Sequence, residues 1–178
     1  MTPDFFPEAF AYTLGNEGGF TNDPNDYGGP TNWGIIQSEY SRYIGHPASI
    51  DEIKHMPKEH AEDIYRHNYW NPLAIARIQN KHVAMALFDR SVLNGLLGVS
   101  QRTATALGLP KPVKAGLPID VINAHDPVKF VMALADACEA AHRARVQQDH
   151  SQQKFLRGWL NRVNRMRKEL GDGTVRSV

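Results

Sequence analysis

The sequence predicts a mostly α-helical fold. In several segments apolar residues recur three or four positions apart, which is the spacing of one helix face. No alternating apolar run of strand length stands out. Residues 20–34 follow the first predicted helix, are rich in Gly, Pro, Asn and Asp, and are expected to form a structured loop or short hairpin. Because 178 residues can bury one sizeable core, we expect one compact unit with one or two lobes.

The first helix is predicted to run from Asp4 to Asn16. Asp4 can cap its start, and Gly18 and Gly19 are expected to end it. Its apolar stripe consists of residues spaced four apart, namely Phe6, Phe10 and Leu14.

Further helices are predicted in the middle of the chain. Ser49 and Glu52 resemble a capping box that opens a short turn, and Pro57 is expected to start a helix that ends at Asn71-Pro72. The stretch from Asn80 to Leu93 is apolar nearly all round, which is typical of a central, buried helix.

The C-terminal half is predicted to contain a short helix, a connection and two long helices. The short helix spans Ser100 to Leu107, and residues 108–120, with three prolines, form the connection. Asp126-Pro127 is a favourable start for a long helix. The last helix runs from about Ser151 to Leu170, and its expected inward side chains are Phe155, Trp159, Val163, Met166 and Leu170.

Composition and charge exclude several classes of protein. The formal net charge is only +1, so no overall charge attracts the chain to nucleic acid. The single cysteine, Cys138, excludes an internal disulfide. The eight histidines have no metal-ligand spacing, so neither a metal nor another cofactor is expected. No ordinary signal peptide is visible, and no apolar run approaches the roughly 20 residues that span a bilayer.

Glu17 is the first candidate for catalysis. It continues the apolar stripe of the first helix by three residues, so its carboxylate is expected to face the apolar side at the helix end. Partial burial raises the pKa of a carboxyl group, which a general acid needs near neutral pH. The alternative is a surface carboxylate at a frayed helix end.

The turn-rich loop supplies further candidates. Asp26 follows Glu17 by nine residues, with Asp23, Thr31 and Asn32 close in sequence. Such a loop can return acidic, hydroxyl and amide groups toward one glutamate. Two carboxylates that flank a sugar bond are the usual arrangement in glycosidases.

This stretch resembles the N-terminal signature of the glycoside hydrolase family 108 N-acetylmuramidases, which occur as phage endolysins and as muramidases tied to holin-like secretion. The matching residues are Glu17 to Phe20, Asn22-Asp23-Pro24, Asp26, Gly28-Gly29, Thr31-Asn32 and Gly34-Ile35. Individually weaker matches extend the resemblance over nearly the whole chain, at Tyr65, Trp70, Phe88-Asp89, Asn94-Gly95 and residues 158–162.

The resemblance implies a lysozyme-like helical body. A catalytic lobe would occupy residues 1–95, and a helical peptidoglycan-binding-like lobe would occupy residues 96–178, packed with it as one unit. Glu17 would be the catalytic acid that hydrolyses the bond between N-acetylmuramic acid and N-acetylglucosamine, and Asp26 would orient water or stabilise charge. A lytic transglycosylase and a non-catalytic wall-binding protein are the alternatives.

The chain departs from related patterns at two places. The spacing from Glu17 to Asp26 is similar to that of phage lysozymes, in which a threonine follows six residues later. Here that position is Asn32, with Thr31 beside it. Residues 113–120 also lack the Asp-Gly and Gly-Pro-Thr pattern of relatives.

Substrate binding is expected from aromatic and polar side chains. Flat rings can lie against the apolar face of a saccharide while polar groups bind its hydroxyls. A place in the core is the alternative for the aromatic rings, and a structural ion pair is the alternative for Asp89. The predicted substrate-binding residues are Asp23, Tyr27, Thr31, Asn32, Tyr69, Trp70, Asp89 and Asn94.

The expected partner is bacterial peptidoglycan, bound by a monomer without nucleic acid. The protein would be made in the cytoplasm and would act on the wall in the periplasm after release, with a holin-like protein as export partner. From Cys138 to Val178 nine Lys or Arg stand against four Asp or Glu. This excess indicates either the solvated face of the last helix or attraction to anionic envelope lipid.

Overall fold

The computed structural model describes residues 3–15, 19–22 and 29–173. This part of the chain contains eight α-helices and a two-stranded antiparallel sheet, which confirms the mostly α-helical prediction. The strands are β1 (Thr31–Asn32) and β2 (Ile35–Ile36). The helices are α1 (Phe6–Leu14), α2 (Gln37–Ile44), α3 (Ile50–Lys54), α4 (Lys58–Tyr65), α5 (Lys81–Ala106), α6 (Ile119–Ala124), α7 (Pro127–Gln148) and α8 (Gln153–Leu170).

Helix α1 is attached to the core by its aromatic stripe. The predicted N-cap, Asp4, is wrong, because the N-cap position is Phe5 and no side chain caps the helix. Asp4 lies one residue earlier and accepts a hydrogen bond of 3.1 Å from the amide of Phe6. The ring of Phe6 is buried and meets Trp70 and Phe88 edge to face, with centroids 5.4 and 5.5 Å away. The start of α1 is therefore held by this hydrogen bond and by a cluster of rings.

Helix α5 forms the centre of the fold. It joins the two helices predicted at 80–93 and 100–107, and it is interrupted at Gly95, where φ is +73° and ψ is 164°. A φ of this sign favours glycine. Helices α1, α7 and α8 and the π-helical turn Arg66–Trp70 all pack against α5. The central, buried position predicted for its first half is confirmed, because Ala84, Leu87 and Phe88 are fully buried.

By length and composition alone, α5 could also cross a membrane. More than half of its most apolar window is buried inside the fold. It also carries the buried ion pair between Asp89 and Arg90. These are properties of a core helix that other helices cover.

The caps predicted for α3 and α7 are confirmed, but two helices were not predicted. Ser49 and Glu52 form the capping box of α3, and Asp126 accepts a bond of 2.9 Å from the amide of Lys129 at the start of α7. Helices α2 and α6 were missed. Helix α2 has no side-chain cap and buries only Tyr40, so its sequence carries neither a start signal nor an apolar stripe.

The predicted inward face of α8 is correct for Val163, Met166 and Leu170, which are buried. It is wrong for Phe155, whose exposed fraction is 47%, and Trp159 is partly exposed. The sequence periodicity places all five on one stripe, but at the first turns of α8 this stripe lines an open cavity with residues of α5 and α7.

The core is continuous across the predicted lobe boundary. Helix α5 passes through residue 95 without leaving the core, and buried residues from both sides of that point belong to one hydrophobic cluster. The division into residues 1–95 and 96–178 stays a prediction about function.

A short hairpin follows the turn-rich sequence, as predicted. Strands β1 and β2 pair Thr31 with Ile36, and both turn residues, Trp33 and Gly34, have positive φ. This combination is typical of a tight two-residue hairpin turn. The hydroxyl of Tyr65 donates a bond of 3.3 Å to the carbonyl of Trp33, which attaches the turn to α4.

Helices α7 and α8 are joined by Arg167, an arginine that is 1% exposed. Its guanidinium donates bonds of 2.8 Å to Asp136 and to Glu139 on α7, and one of 3.1 Å to Asn164. A buried cation is tolerated because carboxylates surround it.

We expect Arg167→Met to lower the free energy of unfolding by about 3 kcal/mol, because removing one partner leaves the Glu139 carboxylate less compensated in a largely buried place. Urea denaturation followed by circular dichroism measures this loss. The control is Arg157→Met, an exposed position on the same helix, where a change within about 0.5 kcal/mol is expected. Equal stability of the two variants would contradict the structural role of Arg167.

We also expect Gly34→Ala to destabilise the hairpin by about 1–3 kcal/mol. A methyl group on Gly34 would lie 2.6 Å from the Tyr65 hydroxyl, at a φ of +73° that alanine rarely adopts. Adding Tyr65→Phe removes the clashing oxygen, so the double variant should recover part of the loss. Denaturation of both single variants and of the double variant tests this coupling. Additive effects would show that the hydroxyl and the glycine do not interact.

Candidate functional site

Four of the predicted site residues, namely Glu17, Asp23, Asp26 and Tyr27, lie outside the described residues. Their roles stay predictions. The structure does describe the residues that precede and follow these four in sequence. Helix α1 ends at Leu14, because Gly15 takes a positive φ of +58° that stops the helix, so the predicted end at Asn16 is wrong. Thr21 forms an antiparallel bridge with Thr31 of the hairpin.

A groove of about 680 Å³ lies at the C-terminal end of α1. We call it the α1 groove. One wall comes from the residues that directly precede the predicted acid in sequence, and the other comes from α8. The lining residues are Ala11, Thr13, Leu14, Gly15, Asn161, Arg162 and Arg165.

Helix α8 is held against α1 by Arg165. Its guanidinium lies 4.3 Å from the centroid of the Tyr12 ring, and its Nε is 3.2 Å from the Glu169 carboxylate. A guanidinium over an aromatic face is attracted by the ring quadrupole. Burial raises the pKa of Tyr12 well above its ordinary value, so the ring carries a neutral hydroxyl.

Asn32 is a structural residue rather than the predicted substrate ligand. It is 5% exposed, and its amide donates bonds of 2.9 and 3.0 Å to the carbonyls of Ile53 and Lys54. Its Oδ1 accepts a bond of 3.0 Å from the amide of Trp33. These bonds attach the hairpin to α3, which corrects the prediction for Asn32. Thr31 is half-buried and donates to the Gly29 carbonyl, and its predicted role is untested.

Trp70 also belongs to the core, which corrects its predicted place against a saccharide. The side chain is 1% exposed and meets the rings of Phe6 and Phe88 edge to face. A ring covered in this way has no free face for a sugar. Tyr69 is half-buried and lies 5.7 Å from the Tyr65 ring, so its predicted role is untested.

Asp89 forms a buried ion pair with Arg90. The exposed fractions of the two residues are 4% and 1%. This ion pair supports the alternative that Asp89 has a structural role. It corrects the prediction that Asp89 contacts the substrate. Asn94, one turn further along α5, is half-buried and lines a second cavity described below.

The structure reveals Glu39, a carboxylate that sequence reasoning missed. It lies in the first turn of α2 and accepts a bond of 2.7 Å from the amide of Asn68. The pKa of the Tyr69 hydroxyl is raised first by burial and then by the charge of Glu39. The position of Glu39 directly after a predicted hairpin was the signal that could have indicated it as a site residue. The helix that carries it, α2, was not predicted.

A second cavity, of about 580 Å³, lies between α5, α7 and α8. We call it the basic cleft. Five of its lining residues are cationic, and three carry rings. The cations are Arg90, Arg102, Arg145, Lys154 and Arg162, and the rings belong to His142, Phe155 and Trp159; Leu93, Asn94, Ala141 and Gly158 complete the lining. Arg145, Lys154 and Arg162 belong to the basic C-terminal stretch of the sequence, but only the packing of three helices brings them together with Arg90 and Arg102.

The rings of the basic cleft form a continuous stack. Trp159 lies 5.0 Å from His142 and 5.9 Å from Phe155, both in stacked orientation. Burial, and then the charges of Arg102, Arg90 and Arg145, lower the pKa of His142 to about 4. His142 is therefore neutral near pH 7 and adds a ring face rather than a charge.

Metal binding finds no support in the described residues, where no group of three or more His, Cys, Asp or Glu could hold an ion. Cys138 is buried, and burial raises the pKa of its thiol. It is a core side chain.

Comparison with known proteins identifies the family. Residues 10–95 match the family model described as Glycosyl hydrolase 108. No match is found among curated proteins. Among solved structures, the chain is similar to SagA of Brucella abortus, with 28% identity and a TM-score of 0.72 over 93% of this chain and 92% of that one. The matched segment begins in α1, includes the hairpin and ends at the interruption of α5. The glycosyl hydrolase 108 family that the resemblance of the sequence implied is therefore confirmed for residues 10–95, and it supports a glycoside hydrolase as the class of enzyme.

Proposed function

We propose that this glycoside hydrolase acts on bacterial peptidoglycan as an N-acetylmuramidase. It would hydrolyse the bond between N-acetylmuramic acid and N-acetylglucosamine. The family match over residues 10–95 carries this proposal, because the matched stretch contains Glu17 and the loop with Asp26. The similarity to SagA over 93% of the chain supports the same family beyond the matched segment.

Glu17 would protonate the oxygen of the leaving sugar as the bond breaks through an oxocarbenium-like transition state. Glu17 lies three residues beyond Leu14, the last residue of α1, whose side chain is half-buried. A carboxyl group in apolar surroundings keeps its proton at higher pH, as an acid catalyst requires. Asp26 would orient the attacking water or stabilise the positive charge.

The α1 groove is the expected place for the glycan. Its volume of about 680 Å³ is within the usual range of ligand sites, and it lies beside the residues that precede Glu17. Amide and guanidinium groups from Asn161, Arg162 and Arg165 could donate hydrogen bonds to sugar oxygens.

The cellular role is also part of the proposal. A monomeric enzyme would reach the wall in the periplasm after release from the cytoplasm, with a holin-like export partner. Its role would be that of an endolysin or of a secretion-linked muramidase. Purified peptidoglycan is the substrate with which the enzymatic proposal is tested.

We expect Glu17→Gln to reduce hydrolysis of purified sacculi by at least about 10²-fold, because general acid catalysis contributes roughly 10²–10⁴-fold. Release of reducing ends and loss of turbidity measure the rate, and thermal unfolding checks the fold. The matched control is Glu8→Gln, an exposed carboxylate in the first turn of α1, which should retain full activity. More than a tenth of wild-type activity in Glu17→Gln would exclude Glu17 as the acid.

The products separate the proposed hydrolysis from its alternatives. Mass spectrometry of the wild-type digest should show reducing muramic acid ends formed with water. A digest with 1,6-anhydro ends would instead identify a lytic transglycosylase. Binding of sacculi without any cleavage would identify a non-catalytic wall protein.

We expect Asp26→Asn to reduce the turnover number for sacculi, because the amide keeps the shape but removes the charge that would orient water or stabilise the transition state. Asp23→Asn serves as the comparison in the same loop. The assignment predicts that kcat falls more for Asp26→Asn. A silent Asp26→Asn beside a damaging Asp23→Asn would make Asp23 the partner of Glu17.

A further inference from the structure

The basic cleft has a strong excess of positive charge. Five cations line it, and no Asp or Glu is present in its lining among the described residues. Asp89 compensates Arg90 from within α5. Four cations remain in the concave site, namely Arg102, Arg145, Lys154 and Arg162. A cleft lined by one sign of charge concentrates ligands of the opposite sign.

These four cations differ from three other arginines of α7 and α8. Arg143, Arg165 and Arg167 each form an ion pair. Within residues 3–15, 19–22 and 29–173, none of the four forms an ion pair of 4.0 Å or less. Arg157 and Lys168 of α8 form none either, but they are exposed outside the cleft, whereas the four unpaired cations of the cleft converge on one concave site.

The cleft also contains buried polar atoms without partners. The Oδ1 atom of Asn94 and the Nε atom of Arg102 are covered but have no hydrogen-bond partner among the described residues. Buried polar groups in native proteins are normally paired, so such atoms indicate a ligand or ordered water. One is an acceptor and the other is a donor.

An apolar surface completes the cleft. Phe155 exposes 47% of its surface and stacks on Trp159, which stacks on the neutral ring of His142. Cationic groups lie over two of these rings. The guanidinium of Arg145 is 5.4 Å from the centroid of the Trp159 ring, and the ammonium of Lys154 is 5.0 Å from the centroid of the Phe155 ring. A ligand for this site has several anionic groups, amide groups and apolar portions.

We propose that the basic cleft binds the peptide stem of peptidoglycan through its carboxylates. This inference rests on the proposed function and identifies the part of the substrate that the second site would recognise. A stem peptide carries several carboxylates for the four cations, an amide N–H for Asn94 and methyl or methylene groups for the rings. The enzyme would thereby prefer glycan that still bears peptides over bare glycan.

Arg162 connects the cleft to the site of hydrolysis. It lines both the basic cleft and the α1 groove, which places the two cavities on the same side of α8. Peptides are attached to the muramic acid residues of the glycan. A glycan in the α1 groove could therefore extend its peptide past Arg162 into the basic cleft.

The position of the charges favours a peptide over a lipid surface. Binding to anionic lipid generally uses an amphipathic helix with basic residues along an open face. Here the cations converge from α5, α7 and α8 on a concave site, and Arg167 of α8 is buried in an ion-pair network. Lipid binding is therefore an alternative outcome of the test.

The test compares Arg145→Gln/Lys154→Gln with Arg157→Gln/Lys168→Gln. Both double variants remove two positive charges, but Arg157 and Lys168 are exposed on α8 outside the cleft. On intact sacculi we expect the cleft variant to raise KM about tenfold with little change in kcat, because charge-assisted contacts to substrate are lost. On glycan strands stripped of peptides by an amidase, it should match wild type.

Direct binding separates this inference from the proposed catalytic activity. Calorimetry with a synthetic stem tetrapeptide should show binding to wild type, weakened about tenfold in the cleft variant and unchanged in the control variant. Amidation of the peptide carboxylates should abolish binding. If the wild-type protein cleaves neither sacculi nor bare glycan but shows this peptide binding, the proposed function fails and peptide recognition by the cleft stands.

Other results would overturn the inference. Equal KM changes on intact and peptide-free substrate would show that the cleft does not read peptides. If the two double variants changed KM equally, the change would be due to the lost net charge and not to the cleft. Loss of binding to phosphatidylglycerol vesicles in the cleft variant, with tetrapeptide binding unchanged, would assign the cleft to anionic lipid.

Discussion

The burial of the first half of helix α5 is the constraint on which the rest of the structure depends. From Val83 to Ser91 every residue except Met85 is buried, so no face of this stretch can be left to water without losing hydrophobic stabilisation. Helix α1 and the π-helical turn cover part of it, and α7 and α8 cover other parts. This covering brings the end of α1 and the middle of α8 together. The α1 groove is the space left between them.

Two arginines in this fold are almost completely buried, and both are compensated. Arg90 pairs with Asp89 inside α5, and Arg167 is surrounded by Asp136, Glu139 and Asn164. Removing a charge from water is strongly unfavourable unless opposite charge replaces the lost hydration. In the basic cleft, Arg145, Lys154 and Arg162 avoid that penalty because they are exposed to solvent, whereas burial lowers the pKa of Arg102.

The hairpin shows how a site segment can be held by residues that do not themselves bind substrate. Asn32 attaches it to α3, Trp33 donates from its indole to the Met56 carbonyl, and Tyr65 bonds the turn. These hydrogen bonds occupy polar groups that would otherwise be free to bind a sugar. In sequence, this anchored hairpin follows the loop that contains Asp26. If Asp26 has the proposed catalytic role, such an anchor would help to position it accurately.

Local sequence determined the helices that carry their own signals. The Ser49 and Glu52 capping box, the Asp126 cap and the stripe of α1 follow from short-range hydrogen bonds and spacing, which depend little on the rest of the fold. The spaced Gly, Asp and Asn residues after Glu17 indicated the family, because this pattern can also be read from a short stretch of sequence. Helix α2 lacks such signals and could not be predicted. It begins directly after the hairpin, and its place depends on packing around Tyr40.

Only the tertiary structure decided which polar and aromatic residues face a cavity. The sequence allowed Trp70 and Asp89 to bind a sugar, but long-range packing buries one among Phe6 and Phe88 and pairs the other with Arg90. It also allowed Phe155 to be a core residue. Residues far apart along the chain, such as Arg102, Arg145 and Arg162, form one cleft because three helices converge around it. Spacing along one helix fixes which residues share a face, but the neighbours of that face belong to other helices, and only their packing determines whether it meets protein or solvent.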